Sequence, residues 1–143
     1  LKWTVEQFEA LHSKRVDIVV LLYPTAPLRN ASDIDKTIDK VLNQGFDSAL
    51  TLYHDTRYLW SVGEGQIVKA NNYDPNKRMP RQKEVWNQWA ENKAVYAMKR
   101  NVLFQGKRIG ENCGFVEMEK LRSVDIDEPD DFKIAESIFR ILR

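Results

Sequence analysis

The sequence predicts an α/β fold, a mostly parallel sheet flanked by helices, on three observations. First, Asp17 to Tyr23 reads Asp-Ile-Val-Val-Leu-Leu-Tyr, a continuous β-rich apolar run. Such a run suits a strand covered on both faces, as parallel strands are, although a buried helical segment shares the pattern. Second, a Pro24-Thr25-Ala26-Pro27 loop leads into a helix-period segment from Ser32 to Gln44, with Ile34, Ile38, Val41 and Leu42 on one face. Third, a second β-rich run, Asp47 to Tyr53, follows at once. Strand, loop, helix, strand is the βαβ unit from which α/β folds are built.

The remaining elements follow in order. Thr4 to Lys14 carries Val5, Phe8 and Leu11 at helical spacing, and Thr4 with Gln7 fits a capping box. Ser32 is placed to cap the next helix, and Gly45 to stop it. Tyr58 to Val62, a Gly63-Glu64-Gly65 turn and Ile67 to Ala70 read as a hairpin. The polar stretch from Asn71 to Lys83 is long for a connector, which marks it as functional or mobile. Trp86 and Trp89 sit three apart, the spacing of one helical face. Ala94 to Lys99 and Gly114 to Met118 are expected strands around a turn or helix at Val102 to Gln105. Ser123 to Ile126 is the last expected strand and Pro129 to Leu142 the closing helix. The whole chain is expected to be one domain, 1–143, with 58–92 as a hairpin insertion.

Composition narrows the function. The 143 residues are enough to bury a core, and 43% hydrophobic with 30% charged residues is ordinary for a globular protein. Lys plus Arg number 22 against 21 Asp plus Glu, so the weak net field argues against a nucleic-acid binder driven by phosphate attraction. Cys113 is the only cysteine, and no long apolar span or secretory signal is present. These features lead us to expect a cytoplasmic protein without membrane attachment.

Three constellations bear on chemistry. In Ser123-Val124-Asp125-Ile126-Asp127-Glu128-Pro129, a strand continued through Asp127 would put Asp125 and Asp127 on one face. Two carboxylates at a strand's C-terminal edge suit a hard cation such as Mg²⁺, which prefers oxygen ligands shared with phosphates. The alternative is that Asp127 caps the final helix, with Pro129 in its first turn; the two roles can coexist. In Tyr23-Pro24-Thr25-Ala26-Pro27-Leu28-Arg29, Thr25 offers a hydroxyl and Arg29 a forked cation suited to phosphate or carboxylate. Its alternative is a rigid turn with a solvated arginine. Lys77-Arg78-Met79-Pro80-Arg81-Gln82-Lys83 is a basic run between Tyr73 and Trp86 that suits an anionic substrate, or else is a solvated loop.

Taken in order, these pieces resemble the CMP-sialic acid synthetase (N-acylneuraminate cytidylyltransferase) family. The matching segments are Tyr23-Pro24-Thr25-Ala26-Pro27-Leu28-Arg29, then Arg81-Gln82, then Asn92-Lys93-Ala94-Val95-Tyr96, then Val124-Asp125-Ile126-Asp127. The resemblance runs from Val16 to near the end of the chain. It implies a Rossmann-like nucleotide-diphospho-sugar transferase fold with a hairpin insertion used for dimerisation. It implies transfer of a cytidylyl group from CTP to an acidic nine-carbon sugar, with pyrophosphate leaving. Asp125 and Asp127 would hold Mg²⁺, with Arg29 beside them in the catalytic group. Arg81 and Gln82 would contact the sugar acid, and Tyr23, Thr25 and Asn92 would complete the substrate pocket. The partners implied are CTP, an acidic nonulosonic sugar and a second copy of the chain.

Three departures stand out. Tyr23 replaces the family's usual Gln at a sugar-contacting position, which opens the substrate to pseudaminic, legionaminic or Kdo-like acids. Lys93 replaces the family's usual Gly, so the backbone there is expected to differ. The family's opening strand and its Gly/Arg/Lys-rich nucleotide loop have no counterpart in these residues. The chain alone is therefore expected to be incomplete for activity, and a non-catalytic truncated domain that keeps the dimer and sugar surfaces is the competing reading.

Overall fold

A computed structural model describes residues 1–77, 80 and 85–142. By contact density the chain divides into two compact units, residues 1–53 with 91–143, and residues 54–90.

The larger unit is built on a four-stranded sheet of β1 (Ile18–Leu21), β2 (Ser48–His54), β5 (Trp89–Lys99) and β6 (Cys113–Glu117), in the order β1-β5-β2-β6. β2 and β6 are parallel, Ser48 opposite Cys113. β5 runs antiparallel to β1, from Ile18 opposite Lys99 to Leu21 opposite Tyr96. It also runs against β2. The Lys99 amide donates to the Asp47 carbonyl at 2.9 Å and the Val95 amide to the Thr51 hydroxyl at 3.1 Å, so the two numberings run in opposite senses. The α/β class stands, and the single antiparallel strand sits inside the sheet rather than at its edge. As a result, the start of β5 meets the C-terminal ends of its neighbours.

The period of two sorts the strand residues onto two faces. Val19 and Leu21 of β1 pack with Tyr96 and Met98 of β5 against Val5, Val102 and Leu103. These last come from α1 (Lys2–His12) and α3 (Arg100–Phe104). Ile18 and Val20 turn the other way, with Ala97 and Ala49, onto Val41 of α2 (Ala31–Leu42). Packing on both faces explains why the run is apolar throughout from Ile18 to Tyr23.

Several expected boundaries move. α1 begins at Lys2, so Thr4 lies inside its first turn rather than capping it, and of the three spaced residues only Val5 is buried. α2 is capped by Asn30, not Ser32. The Asp33 amide donates to Asn30 Oδ1 at 3.0 Å and the Asn30 amide to Asp33 Oδ2 at 2.8 Å. This reciprocal pair satisfies two backbone donors at once, where Ser32 would satisfy one. α4 (Pro129–Ile141) starts from Glu128 rather than Asp127; Asp131 accepts from the amides of both residues, at 2.9 and 3.1 Å. No strand forms at 123–126. That segment runs from a 3₁₀ turn at Lys120–Arg122 into α4, and the Ile126 amide donates to a loop carbonyl, Thr25.

In the smaller unit, β3 (Trp60–Val62) and β4 (Val68–Ala70) form the expected hairpin, Trp60 opposite Ala70. Tyr58 stacks on Tyr73 at 4.1 Å and meets Trp86 edge-on at 5.4 Å. The tryptophans do not share a helix face. Trp86 is buried in a loop, its Nε1 donating to the Asp55 carbonyl at 2.8 Å, while Trp89 opens β5. Anchoring an indole N–H on a buried carbonyl fixes a loop without any helical period. Among the described residues no helix is long and apolar enough to cross a membrane.

Candidate functional site

At the end of β1 the chain folds around its own arginine. Arg29 Nη1 donates to the carbonyls of Tyr23 at 2.6 Å and Ala26 at 2.8 Å, which closes the Pro24–Pro27 loop onto the sheet edge. Those bonds commit one arm of the guanidinium to holding the loop's shape. Tyr23 sits half-buried at the loop's base, edge-on to Tyr96 at 5.8 Å, and its hydroxyl accepts from Arg108 Nη1 at 2.7 Å. Tyr96 in turn donates to Glu91. Burial, then the Glu91 carboxylate, pushes the Tyr96 phenol above its usual range.

Because β5 is antiparallel, the residues that precede Tyr96 extend past Leu21 to this same edge. Asn92 is among the most buried polar residues of the chain. Its Oδ1 accepts from the Thr51 hydroxyl at 2.7 Å and the Ala94 amide at 3.2 Å. Its Nδ2 donates to the Ser123 hydroxyl at 3.0 Å and reaches the Met118 sulfur at 3.3 Å. The amide is thus saturated by β2, β5 and the segment after β6, and it floors the site rather than pointing out of it.

The acidic segment is held from both sides. Arg122 donates to Asp33 through both terminal nitrogens, at 2.5 and 3.0 Å, and to the Leu28 carbonyl at 3.3 Å. The Ile126 amide donates to the Thr25 carbonyl at 2.8 Å. These bonds bring Asp125 and Asp127 beside the β1 loop, though not through the strand pleat expected of them. The two carboxylates meet on a side chain instead. Lys93 Nζ forms an ion pair with Asp125 Oδ2 and lies 3.5 Å from Asp127 Oδ2. The hydrogen bond to Asp125 holds the Lys93 ammonium above its ordinary pKa, with both carboxylates adding to the effect. Lys93 itself has a φ of 56°, the left-handed region that L-residues with a Cβ enter at a cost. The lysine keeps a conformation that suits glycine.

The pair suits a hard cation by its chemistry. It offers two carboxylates, and Asp125 Oδ1 is shut from solvent with no hydrogen-bond partner among the described residues. No group of three or more His, Cys, Asp or Glu side chains is clustered for a metal among those residues. A divalent ion there would need water or phosphate oxygens to complete its shell, which is how Mg²⁺ is usually held. It would also meet the Lys93 ammonium, which already contacts both carboxylates.

The site therefore gathers Tyr23, Thr25, Arg29, Asn92, Asp125 and Asp127 at one sheet edge. Arg81 and Gln82 lie outside the described residues. Sequence reasoning missed Arg122, Arg108 and Thr51, which hold the site's walls. The long cation of Arg122, three positions before Asp125, was the one local signal available.

No protein-family model matches the chain. Among curated proteins it is similar to N-acylneuraminate cytidylyltransferase A of Danio rerio, 27% identical over 143 residues, which covers 98% of this chain and 32% of that protein. It is also similar to post-translational flagellin modification protein B of Campylobacter coli, 28% identical over 131 residues, which covers 87% of this chain and 53% of that protein. The chain thus spans a third to a half of the length of these relatives. Among solved structures it resembles the 4-diphosphocytidyl-2C-methyl-D-erythritol synthase of Anaerococcus prevotii DSM 20548 with a TM-score of 0.58. The two are 13% identical, and the match covers 94% of this chain and 64% of that one. At that identity the likeness speaks to fold alone.

Proposed function

The chain is a distant relative of the N-acylneuraminate cytidylyltransferases, and from that premise we propose that it is the sugar-and-cation half of a cytidylyltransferase. The protein it represents would join CTP to an acidic nine-carbon sugar. The observation that carries this reading is the meeting of the Tyr23–Arg29 loop, Asn92 and the Asp125/Asp127 pair at one sheet edge, beyond the C-terminal ends of β1 and β2. Open α/β sheets bind ligands at that edge.

In the reaction the sugar's anomeric hydroxyl oxygen attacks the α-phosphorus of CTP, the bond to the β-phosphate oxygen breaks, and the hydroxyl proton is released. Little covalent work falls to the protein, which positions the reactants and stabilises charge. Asp125 and Asp127 are the residues to hold Mg²⁺, whose chemistry when bound is to neutralise charge on the phosphate oxygens. Arg29 keeps the loop in shape, and Arg108 beside the Tyr23 hydroxyl offers a cation to the sugar's carboxylate. Asn92 keeps the floor in register. Arg81 and Gln82 are proposed sugar contacts on the strength of the resemblance alone. Tyr23 at a sugar-contacting position keeps pseudaminic, legionaminic and Kdo-like acids as alternative substrates.

Self-association through residues 54–90 belongs to the same proposal. The hairpin exposes Trp60, Val62, Ile67 and Val68, and a lone two-stranded hairpin is marginal in water. One observation favours a second reading. The Lys93 ammonium already offsets one of the two carboxylate charges, as it would in a metal-free binding domain.

Pyrophosphate release from CTP, measured with a panel of nonulosonic acids on the complete protein, separates the two. Release that needs Mg²⁺ and disappears in Asp127→Asn supports the transferase. Release unchanged in that variant removes Asp127 from the cation site, and no release with any sugar leaves the binding domain.

A further inference from the structure

The position of Lys93 is unexpected on two independent counts. A residue with a Cβ holds a φ of 56°, and its side chain spans both members of a carboxylate pair at the sheet edge. A solvated lysine would gain nothing from the left-handed backbone. At this point of β5 the left-handed residue faces its side chain toward the segment that follows β6. The ammonium makes an ion pair with Asp125 Oδ2 and lies 3.5 Å from Asp127 Oδ2, the place a cation shared by the two would take. The partners are unequal in exposure. The Asp125 side chain is 18% exposed, that of Asp127 is 68% exposed and that of Lys93 is 43% exposed. Lys93 thus satisfies the carboxylate that could least afford to stand alone. Its own flexible stem leaves it free to swing away, and the second oxygen of Asp125 stays unpartnered.

We propose that Lys93 is a tethered counter-cation of the Asp125/Asp127 pair, and that a divalent ion binds there only by displacing it. The inference rests on the reading of Asp125 and Asp127 as the cation pair. It adds that this chain carries its own competitor for that place, so the pair stays half-neutralised and pre-shaped until a divalent ion drives the ammonium out. The displaced ammonium remains within reach of whatever anion arrives, where three N–H donors suit phosphate oxygens.

The test is Mn²⁺ binding to the full chain without nucleotide, read as loss of the free-ion electron paramagnetic resonance signal. Lys93→Met keeps the length of the side chain and removes its charge. Lys93→Gly removes the side chain and also the backbone cost, so at least one variant is expected to fold well. Both should bind Mn²⁺ about ten-fold or more tightly than the parent chain, since a unit positive charge at contact distance is gone. Adding Asp125→Asn to Lys93→Met should abolish the gain, and Lys93→Arg should bind as weakly as the parent. Equal affinity in the parent and both charge-removed variants overturns the competition and leaves the cation pair standing. Absence of Mn²⁺ binding in all of them at millimolar metal overturns both the competition and the cation pair. The transferase reading is decided separately, by pyrophosphate release.

Discussion

Arg122 grips Asp33 through both terminal nitrogens, at 2.5 and 3.0 Å, across 89 residues of sequence. The pair ties the first turn of α2 to the 3₁₀ turn that launches the acidic segment, and both side chains are largely hidden from solvent. Burial pushes the Asp33 carboxyl up, but Arg122 and the Asn30 amide outweigh it and hold the carboxyl below its ordinary range. Arg122→Met leaves a buried carboxylate unpaired, and the expected cost is about 3 kcal/mol in urea unfolding. Arg122→Lys should recover only part of that, because a point charge cannot reproduce the two-pronged contact. If Arg122→Met unfolds at the parent midpoint, the pair does not anchor the site.

A second long-range tie gives a pH signature. Glu9 of α1 accepts from Arg100 Nε at 2.8 Å, Arg100 Nη2 at 2.9 Å and the Val16 amide at 2.9 Å. Those bonds, Arg100 foremost, lower its carboxyl to about 2. A carboxyl with a depressed folded pKa stabilises fully above its unfolded value, and the contribution is lost as pH falls through the folded one. The gap between the parent and Glu9→Gln urea midpoints should therefore be largest at neutral pH and close between about pH 4.5 and pH 2. Asp33 titrates downward as well, so the gap between the two proteins is the quantity to read. A gap that does not change across this window would mean that the Glu9–Arg100 contact is not made in solution.

Lys93→Gly and Lys93→Met lose the same ion pair and differ in the backbone. The φ of 56° costs a residue with a Cβ and costs glycine nothing. Without metal, Lys93→Gly should be the more stable of the two by about 1 kcal/mol in thermal or urea unfolding. Equal stabilities would show that the left-handed backbone at this position relaxes once the ammonium lets go.

Asn92 is expected to be structural first. Asn92→Ala would remove the acceptor of the Thr51 hydroxyl's 2.7 Å bond and of the Ala94 amide in a buried floor, at a cost of about 2–3 kcal/mol. Its effect on any transferase should appear as loss of folded protein and not as a change in KM alone. A stable Asn92→Ala that binds sugar poorly would reverse that order.

The sequence by itself determined the α/β class. The six-residue apolar run at Ile18 to Tyr23 and the amphipathic helix behind it leave few other ways to bury that surface. It also pointed to the Tyr23–Arg29 loop and to Asp125 and Asp127, because proline and acidic spacing are local signals. Tertiary structure alone decided how those pieces meet. Spacing put Asp125 and Asp127 on a strand, but the segment after Arg122 has its backbone partner in the Thr25 carbonyl, which lies 101 positions away from Ile126 in the chain. Nor does spacing show that β5 reverses direction inside the sheet, which is what carries Asn92 and Lys93 to the edge where β1 ends. Local periodicity reports which face of an element is buried. Strand direction, the Arg122–Asp33 grip and the seat of the Lys93 ammonium depend on partners far along the chain, and only the folded chain brings those partners together.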